Sequence, residues 1–278
     1  MVSVEVPIPR FMRTYPCCCW FPYFILWPTG SISKKSLKHP DMSQLLHLSF
    51  TDFKLIFREP SLRAFLILPV VLFIVFLWFF PMMVAKYPIL QPYVPIILMV
   101  AIIENTQLFS FISSMVLIDE KESNVAVNYG IVPINRSTFL VSRLLLPYLI
   151  TILLNLLFLE WQPYYLFPFP EKLLLSVAAA LVVPVYVLAI NSIVDNRMKG
   201  MIYIKAFNMI VLLPLAAFFV PDAFRHFFGL LPTHWIYQGI QQMTEGKSST
   251  LYLFIGLMYL SGLLFLFGKK FLQFHFRA

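Results

Sequence analysis

The chain has 278 residues, of which 60% are hydrophobic, 17% are aromatic and only 12% are charged. Soluble domains contain about 45–50% apolar and about 25% charged residues, so this composition excludes an ordinary soluble globule and a disordered chain. The three cysteines are adjacent, which gives no disulfide framework. Because the net charge of +8 is not gathered on one basic face, we expect no binding of nucleic acid. The apolar composition indicates an all-α integral membrane protein.

Residues 1–41 differ in composition from the rest of the chain. They contain all three cysteines (Cys17, Cys18 and Cys19), and prolines interrupt the apolar run around them. This run is too short to span a membrane and has no signal-peptide cleavage site. We expect a disordered or dispensable extension, with palmitoylation of the cysteines beside the membrane as the functional alternative.

Residues 43–58 have the pattern of an amphipathic helix. One polar stripe, with spacings of three and four residues, consists of Gln44, His47, Thr51, Lys54 and Arg58. Leu, Ile and Phe residues fill most of the remaining surface. The pattern predicts a helix that lies in the membrane interface, with its basic stripe toward water and the lipid headgroups. Packing beneath the helix bundle is the alternative.

Six apolar stretches are long enough, or nearly so, to cross a membrane as helices. The predicted spans are 64–84, 93–118, 139–159, 173–193, 201–220 and 251–267. With six spans, both ends of the domain lie on one side. The Lys and Arg residues that flank the spans are concentrated on that side, which predicts cytoplasmic ends.

The segment after the second span is unusually acidic. Residues 119–124 read Asp-Glu-Lys-Glu-Ser-Asn, without a nearby His or a calcium-binding loop, so catalysis and metal binding are disfavoured. Acidic charge at a helix C-terminus opposes the helix dipole. The segment is therefore either a solvated helix end or a site for a partner with basic groups.

Polar residues also occur within the spans and after the fifth span. Glu104 and Asn105 lie near the middle of the second span, where they either face a substrate cavity or form hydrogen bonds between helices. Residues 221–250 are too apolar for a free loop, and Pro232 divides them. They predict outer re-entrant half-helices before the last span. His226 and His234 alone are too few ligands for a metal site.

The order of these features resembles that of ABC-2 type transporter permeases. The residues that carry the resemblance are Glu120, Lys121, Glu122, Pro133 and Arg143, together with the interfacial helix and the six spans. The resemblance covers about residues 42–278. The sequence around these residues is similar to that of fluoroquinolone-export permeases. Ser123 and Asn124 replace the Gly-Thr pair that is usual after the acids.

The resemblance implies one half of an exporter with two permeases, identical or different, and two ATPase subunits. It implies that residues 119–138 form a coupling helix that docks on the ATPase. The residues assigned to this contact are Asp119, Glu120, Lys121, Glu122, Pro133 and Arg136. The chain has no G-x-x-x-x-G-K motif, so ATP and Mg²⁺ would bind to the partner and this chain would bind no cofactor. The expected location is the cytoplasmic (inner) membrane.

Two alternatives to a permease remain, namely an integral-membrane enzyme and a secondary transporter acting on lipids or amphiphiles. The enzyme would need a motif such as His-Glu-x-x-His, which the sequence lacks. The secondary transporter would need a coupling path through the membrane, for which a single central acid is poor evidence.

Overall fold

The structure, a computed structural model, describes residue 50 and residues 60–123, 136–221 and 226–275, which contain helices and turns but no β-strand. The first helices are α1 (Pro60–Ile74), a π-helical turn (Val75–Phe79), α2 (Phe80–Lys86), a 3₁₀ helix (Pro88–Tyr93), α3 (Val94–Glu122) and α4 (Arg136–Trp161). Then follow α5 (Phe169–Ala180), α6 (Val182–Asn191), α7 (Arg197–Leu212), two 3₁₀ helices (Leu213–Phe219 and His226–Leu230), α8 (His234–Thr244) and α9 (Thr250–His275).

Several predictions fall outside the described residues. These are the N-terminal extension 1–41, the interfacial helix 43–58 with His47, Lys54 and Arg58, and the loop residue Pro133. The division of the chain at residue 42 stays a prediction.

Six helical segments of the described chain are long and apolar enough to cross a membrane, which confirms the predicted number. They are Phe65–Lys86, Pro88–Glu122, Leu140–Trp161, Phe169–Asn191, Arg197–Phe219 and Thr250–Leu272. The second is longer than predicted at both ends, because the 3₁₀ helix Pro88–Tyr93 precedes α3 and α3 continues through the acidic residues to Glu122. The sixth extends beyond its predicted end because α9 continues and buries Phe271.

Prolines shape the spans without ending them. The π-helical turn Val75–Phe79 lies just before Pro81, which cannot donate a hydrogen bond to the carbonyl four residues earlier. Helices α5 and α6 form one span that is interrupted at Leu181, three residues before Pro184. Pro69 lies inside α1. The first span therefore continues through its prolines, which membrane helices tolerate better than soluble ones.

Helix α3 is the centre of the bundle. It contacts α1, α4, α5, α6, α7 and α8, whereas α9 packs mainly against α5, α6 and α8. Most of α3 and of the α5–α6 span is buried, while α1 and α7 leave much apolar surface exposed. Polar side chains on α3 therefore meet several neighbouring helices.

The described residues between the fifth and sixth spans form two short helical pieces, as predicted. Pro232 lies between the last 3₁₀ helix and α8, and Gly246 (φ +71°) forms the turn between α8 and α9. The Thr233 hydroxyl donates to the Val211 carbonyl at 2.7 Å. This carbonyl lies where α7 gives way to a 3₁₀ helix, so the hydrogen bond ties α8 to the end of the fifth span.

Candidate functional site

The four charged residues that end α3 contact three other parts of the bundle. Asp119, Glu120, Lys121 and Glu122 occupy the last turn of the helix. Successive side chains on a helix are about 100° apart around its axis, so these four point in different directions. They reach α4, the start of α7 and the segment between α6 and α7.

Glu120 forms a buried ion pair with Arg143 of α4. The Oε1–Nη2 distance is 2.7 Å, and the exposed fractions of the Glu120 and Arg143 side chains are 11% and 5%. Each charge tolerates burial because the other neutralises it. The pair joins the second and third spans beside the loop that connects them.

Arg197, the first residue of α7, is held by two acids. Its guanidinium group donates to both carboxylate oxygens of Asp119, with an Nη2–Oδ2 distance of 2.6 Å. Its backbone N–H, one of those that a helix start leaves unpaired, donates to Glu122 Oε2 at 3.1 Å. Asn196 caps the same helix, since its Oδ1 accepts a hydrogen bond from the Lys199 backbone N–H at 2.9 Å.

Lys121 binds the segment that precedes α7. Its Nζ donates to the Val194 carbonyl at 2.9 Å and to Asp195 Oδ1 at 2.7 Å. The hydrogen bond from Lys121 holds the pKa of Asp195 below its usual value, and the positive charges of Lys121 and Lys199 add to this effect. Asp195 is therefore ionised at neutral pH, and its pair with Lys121 stays charged.

We name these residues the ion cluster: Asp119, Glu120, Lys121, Glu122, Arg143, Asp195 and Arg197. Arg143 and Arg197 supply the positive charge that the acidic end of α3 requires. The sequence prediction missed Asp195 and Arg197, for which the available signal was a short Asp-Asn-Arg segment between two spans. Arg136 begins α4. Among the described residues, no group of three or more His, Cys, Asp or Glu could hold a metal ion.

Asn105 takes part in a buried polar contact between α3 and α4. Its Nδ2 donates to Asn155 Oδ1 at 2.7 Å, and Asn155 Nδ2 donates to Thr106 Oγ1 at 3.4 Å. All three side chains are buried. Of the two roles that the sequence allows for Asn105, the structure thus shows a hydrogen bond between helices.

Glu104 is half-buried in the middle of the second span. Two buried tyrosines, Tyr186 of α6 and Tyr237 of α8, lie on helices that contact α3. Tyr186 in turn donates to the Ile204 carbonyl of α7 at 2.9 Å. The second span therefore carries a partly accessible carboxyl group, on the helix that contacts α6, α7 and α8.

The buried ion pair predicts a large and partner-dependent effect of mutation. Arg143→Met should lower the free energy of unfolding by about 3 kcal/mol, because it leaves Glu120 charged and buried. Thermal unfolding in detergent should show a fall in Tm of roughly 6 °C or more. The double variant Glu120→Gln/Arg143→Met should be more stable than Arg143→Met alone. A double variant that shows the sum of the two single losses would mean that the two charges are not coupled.

Comparison with known proteins identifies one family. The chain matches the family described as "Fluoroquinolones export permease protein Rv2686c-like" over residues 52–268, which include the whole ion cluster. No curated protein and no solved structure matches the chain. With six helices able to cross a membrane, this chain is a multi-pass membrane protein that belongs to the Rv2686c-like fluoroquinolone export permease family, consistent with an ABC-2 type permease.

Proposed function

We propose that this permease is the membrane subunit of an ABC exporter that moves a hydrophobic or amphiphilic compound. ATP hydrolysis on a separate subunit supplies the energy. The observation that carries the proposal is the ion cluster, which joins the start of the loop after the second span to α4 and α7. A force applied to this loop would reach several spans at once, as a rigid-body switch driven by an external motor requires.

The ATPase would dock on residues 119–138. The charged side chains of residues 119–122 bind within the permease, so they would form a rigid base for the docking site. Pro133, Arg136 and the loop before them would supply the contact surface. The interfacial helix 43–58 would support the same contact from the membrane surface.

This arrangement fixes the expected assembly and orientation. Both ends of the transmembrane domain would be cytoplasmic, which agrees with the excess of Lys and Arg on that side of the inner membrane. ATP and Mg²⁺ would bind to the ATPase subunit. Two permease copies and two ATPase subunits would form the complete exporter.

The substrate pathway would include Glu104 and Asn105. An ionised carboxylate in a span costs about 2.5–3.5 kcal/mol, so a cationic or zwitterionic amphiphile would be stabilised beside Glu104. Tyr186 and Tyr237, on two helices that contact α3, would add aromatic surface to the pathway. Asn105 would act by holding α4 in place through Asn155. The family name makes a fluoroquinolone the first compound to test.

Purification of the tagged permease from native membranes in mild detergent tests the partner directly. We expect a nucleotide-binding protein to co-purify, and the reconstituted pair to hydrolyse ATP faster when substrate is added. Arg136→Glu should reduce recovery of the ATPase, because it changes the charge of the docking segment. Lys247→Glu, a matched charge change in the exposed turn after α8, should not. Recovery of the permease alone would contradict the proposal.

Replacement of Glu104 by Gln tests the substrate pathway. Loss of the negative charge should reduce efflux of cationic and zwitterionic drugs by roughly tenfold, the size expected for a lost hydrogen bond to a charged group. Efflux of neutral amphiphiles should change little. Glu171→Gln, at the start of α5, serves as the control. Unchanged transport of every drug tested would remove Glu104 from the pathway.

A further inference from the structure

The fifth span begins at a helix end that is bound directly to the end of the second span. From this contact we infer that Asp119 and Arg197 are positioning residues, which transmit motion from the ATPase docking loop to α7. The inference rests on the proposed function and adds to it the route by which the motion enters the membrane domain. Both residues belong to the permease, and their contact lies next to the proposed docking loop.

The contact fixes the direction of α7 as well as its position. Arg197 and Asp119 form a bidentate pair, which holds the guanidinium plane in a set orientation. Lys121 binds the other end of the same short segment through the Val194 carbonyl and Asp195. The segment between α6 and α7 is thus held at two points by side chains from one turn of α3.

Close packing continues the contact into the membrane. A Cβ atom at Gly200, on the first turn of α7, would lie 2.7 Å from Cδ1 of the fully buried Ile118. Glycine therefore lets α7 approach α3 directly, next to the ion pairs. The polar and apolar contacts together make the two helix ends one mechanical unit.

The rest of α7 has few buried residues. Within this helix only Gly200, Ile204 and Val211 are buried. At its far end, the Val211 carbonyl accepts the hydrogen bond from the Thr233 hydroxyl of the α8 segment. In the middle of the helix, the carbonyls of Ile204 and Asn208 accept hydrogen bonds from Tyr186 and from Gln107 of α3. A displacement of α3 at the docking loop would therefore move α7 as one body.

Charge exchange tests the inference in the permease reconstituted with its ATPase. Asp119→Arg and Arg197→Asp should each lower the amount of drug transported per ATP hydrolysed, by roughly fivefold to tenfold for a partly exposed bidentate pair. The double variant Asp119→Arg/Arg197→Asp should restore most of this ratio. A role in folding alone would change the yield and Tm but not the ratio.

The matched control is the ion pair between Lys172 and Glu160, which joins α4 and α5 at the opposite side of the bundle with an Nζ–Oε2 distance of 2.6 Å. Its charge exchange should leave drug transported per ATP unchanged. One outcome is that the wild-type permease with its ATPase transports drug while the Asp119→Arg/Arg197→Asp variant stays as uncoupled as the single variants. That result would overturn this inference and leave the proposed function standing. If the wild-type permease with its ATPase neither transports drug nor hydrolyses ATP, both the proposed function and this inference fail.

A cross-link supplies a second measurement that does not depend on charge. The variant Asp119→Cys/Arg197→Cys, with Cys17, Cys18 and Cys19 replaced by Ser, should be uncoupled until a short bismaleimide joins the two new cysteines. Cross-linking should then restore transport per ATP, because the two helix ends move together. A cross-link that blocks transport would show that the ends must separate, which would overturn the inference.

Discussion

Charges at the edge of a membrane must find partners, and in this permease the end of α3 meets that requirement within the chain. Asp119 and Glu120 each contact an arginine from another span, and Lys121 binds an aspartate and a carbonyl group. Breaking such pairs costs far more when the partner remains buried, as Glu120 does. The second, third and fifth spans are therefore held together at the point where the loop between the second and third spans begins.

The same helix carries the polar groups in the middle of the bundle. Asn105 and Asn155 satisfy each other across α3 and α4, which is how amide side chains are usually accommodated among membrane helices. Glu104, one residue earlier, is half-buried. One helix thus combines a fixed contact with a partly accessible carboxyl group, and its end connects both to the proposed motor.

Much of the fold follows from the sequence because the membrane imposes a simple constraint on length and hydropathy. The number of spans, the tolerance of Pro69 and Pro81, and the division at Pro232 all follow from local composition. The partners of the acidic residues do not, since Arg197 is 78 residues from Asp119 along the chain. The bundle alone brings these residues together, and no local pattern encodes that approach.

For the same reason the sequence left two roles open for Asn105, whose partner Asn155 is 50 residues away. The length of α3 was also underestimated. Hydropathy marks where the apolar stretch ends, whereas the helix itself continues until Ser123, whose hydroxyl donates to the Asp119 carbonyl at 2.7 Å. Capping and ion pairing, both of which depend on other parts of the chain, decided the true boundary.

The account depends most on the side of the membrane that the ion cluster faces, because a cytosolic motor can act on it from one side only. Labelling with a membrane-impermeant maleimide measures this in a chain without its native cysteines. Ser123→Cys, at the exposed end of α3, should react in inside-out vesicles and not in intact cells. Ser248→Cys, in the exposed turn before α9, should show the reverse. Labelling of Ser123→Cys from outside intact cells would contradict the account, because no ATPase in the cytoplasm could then reach the docking loop.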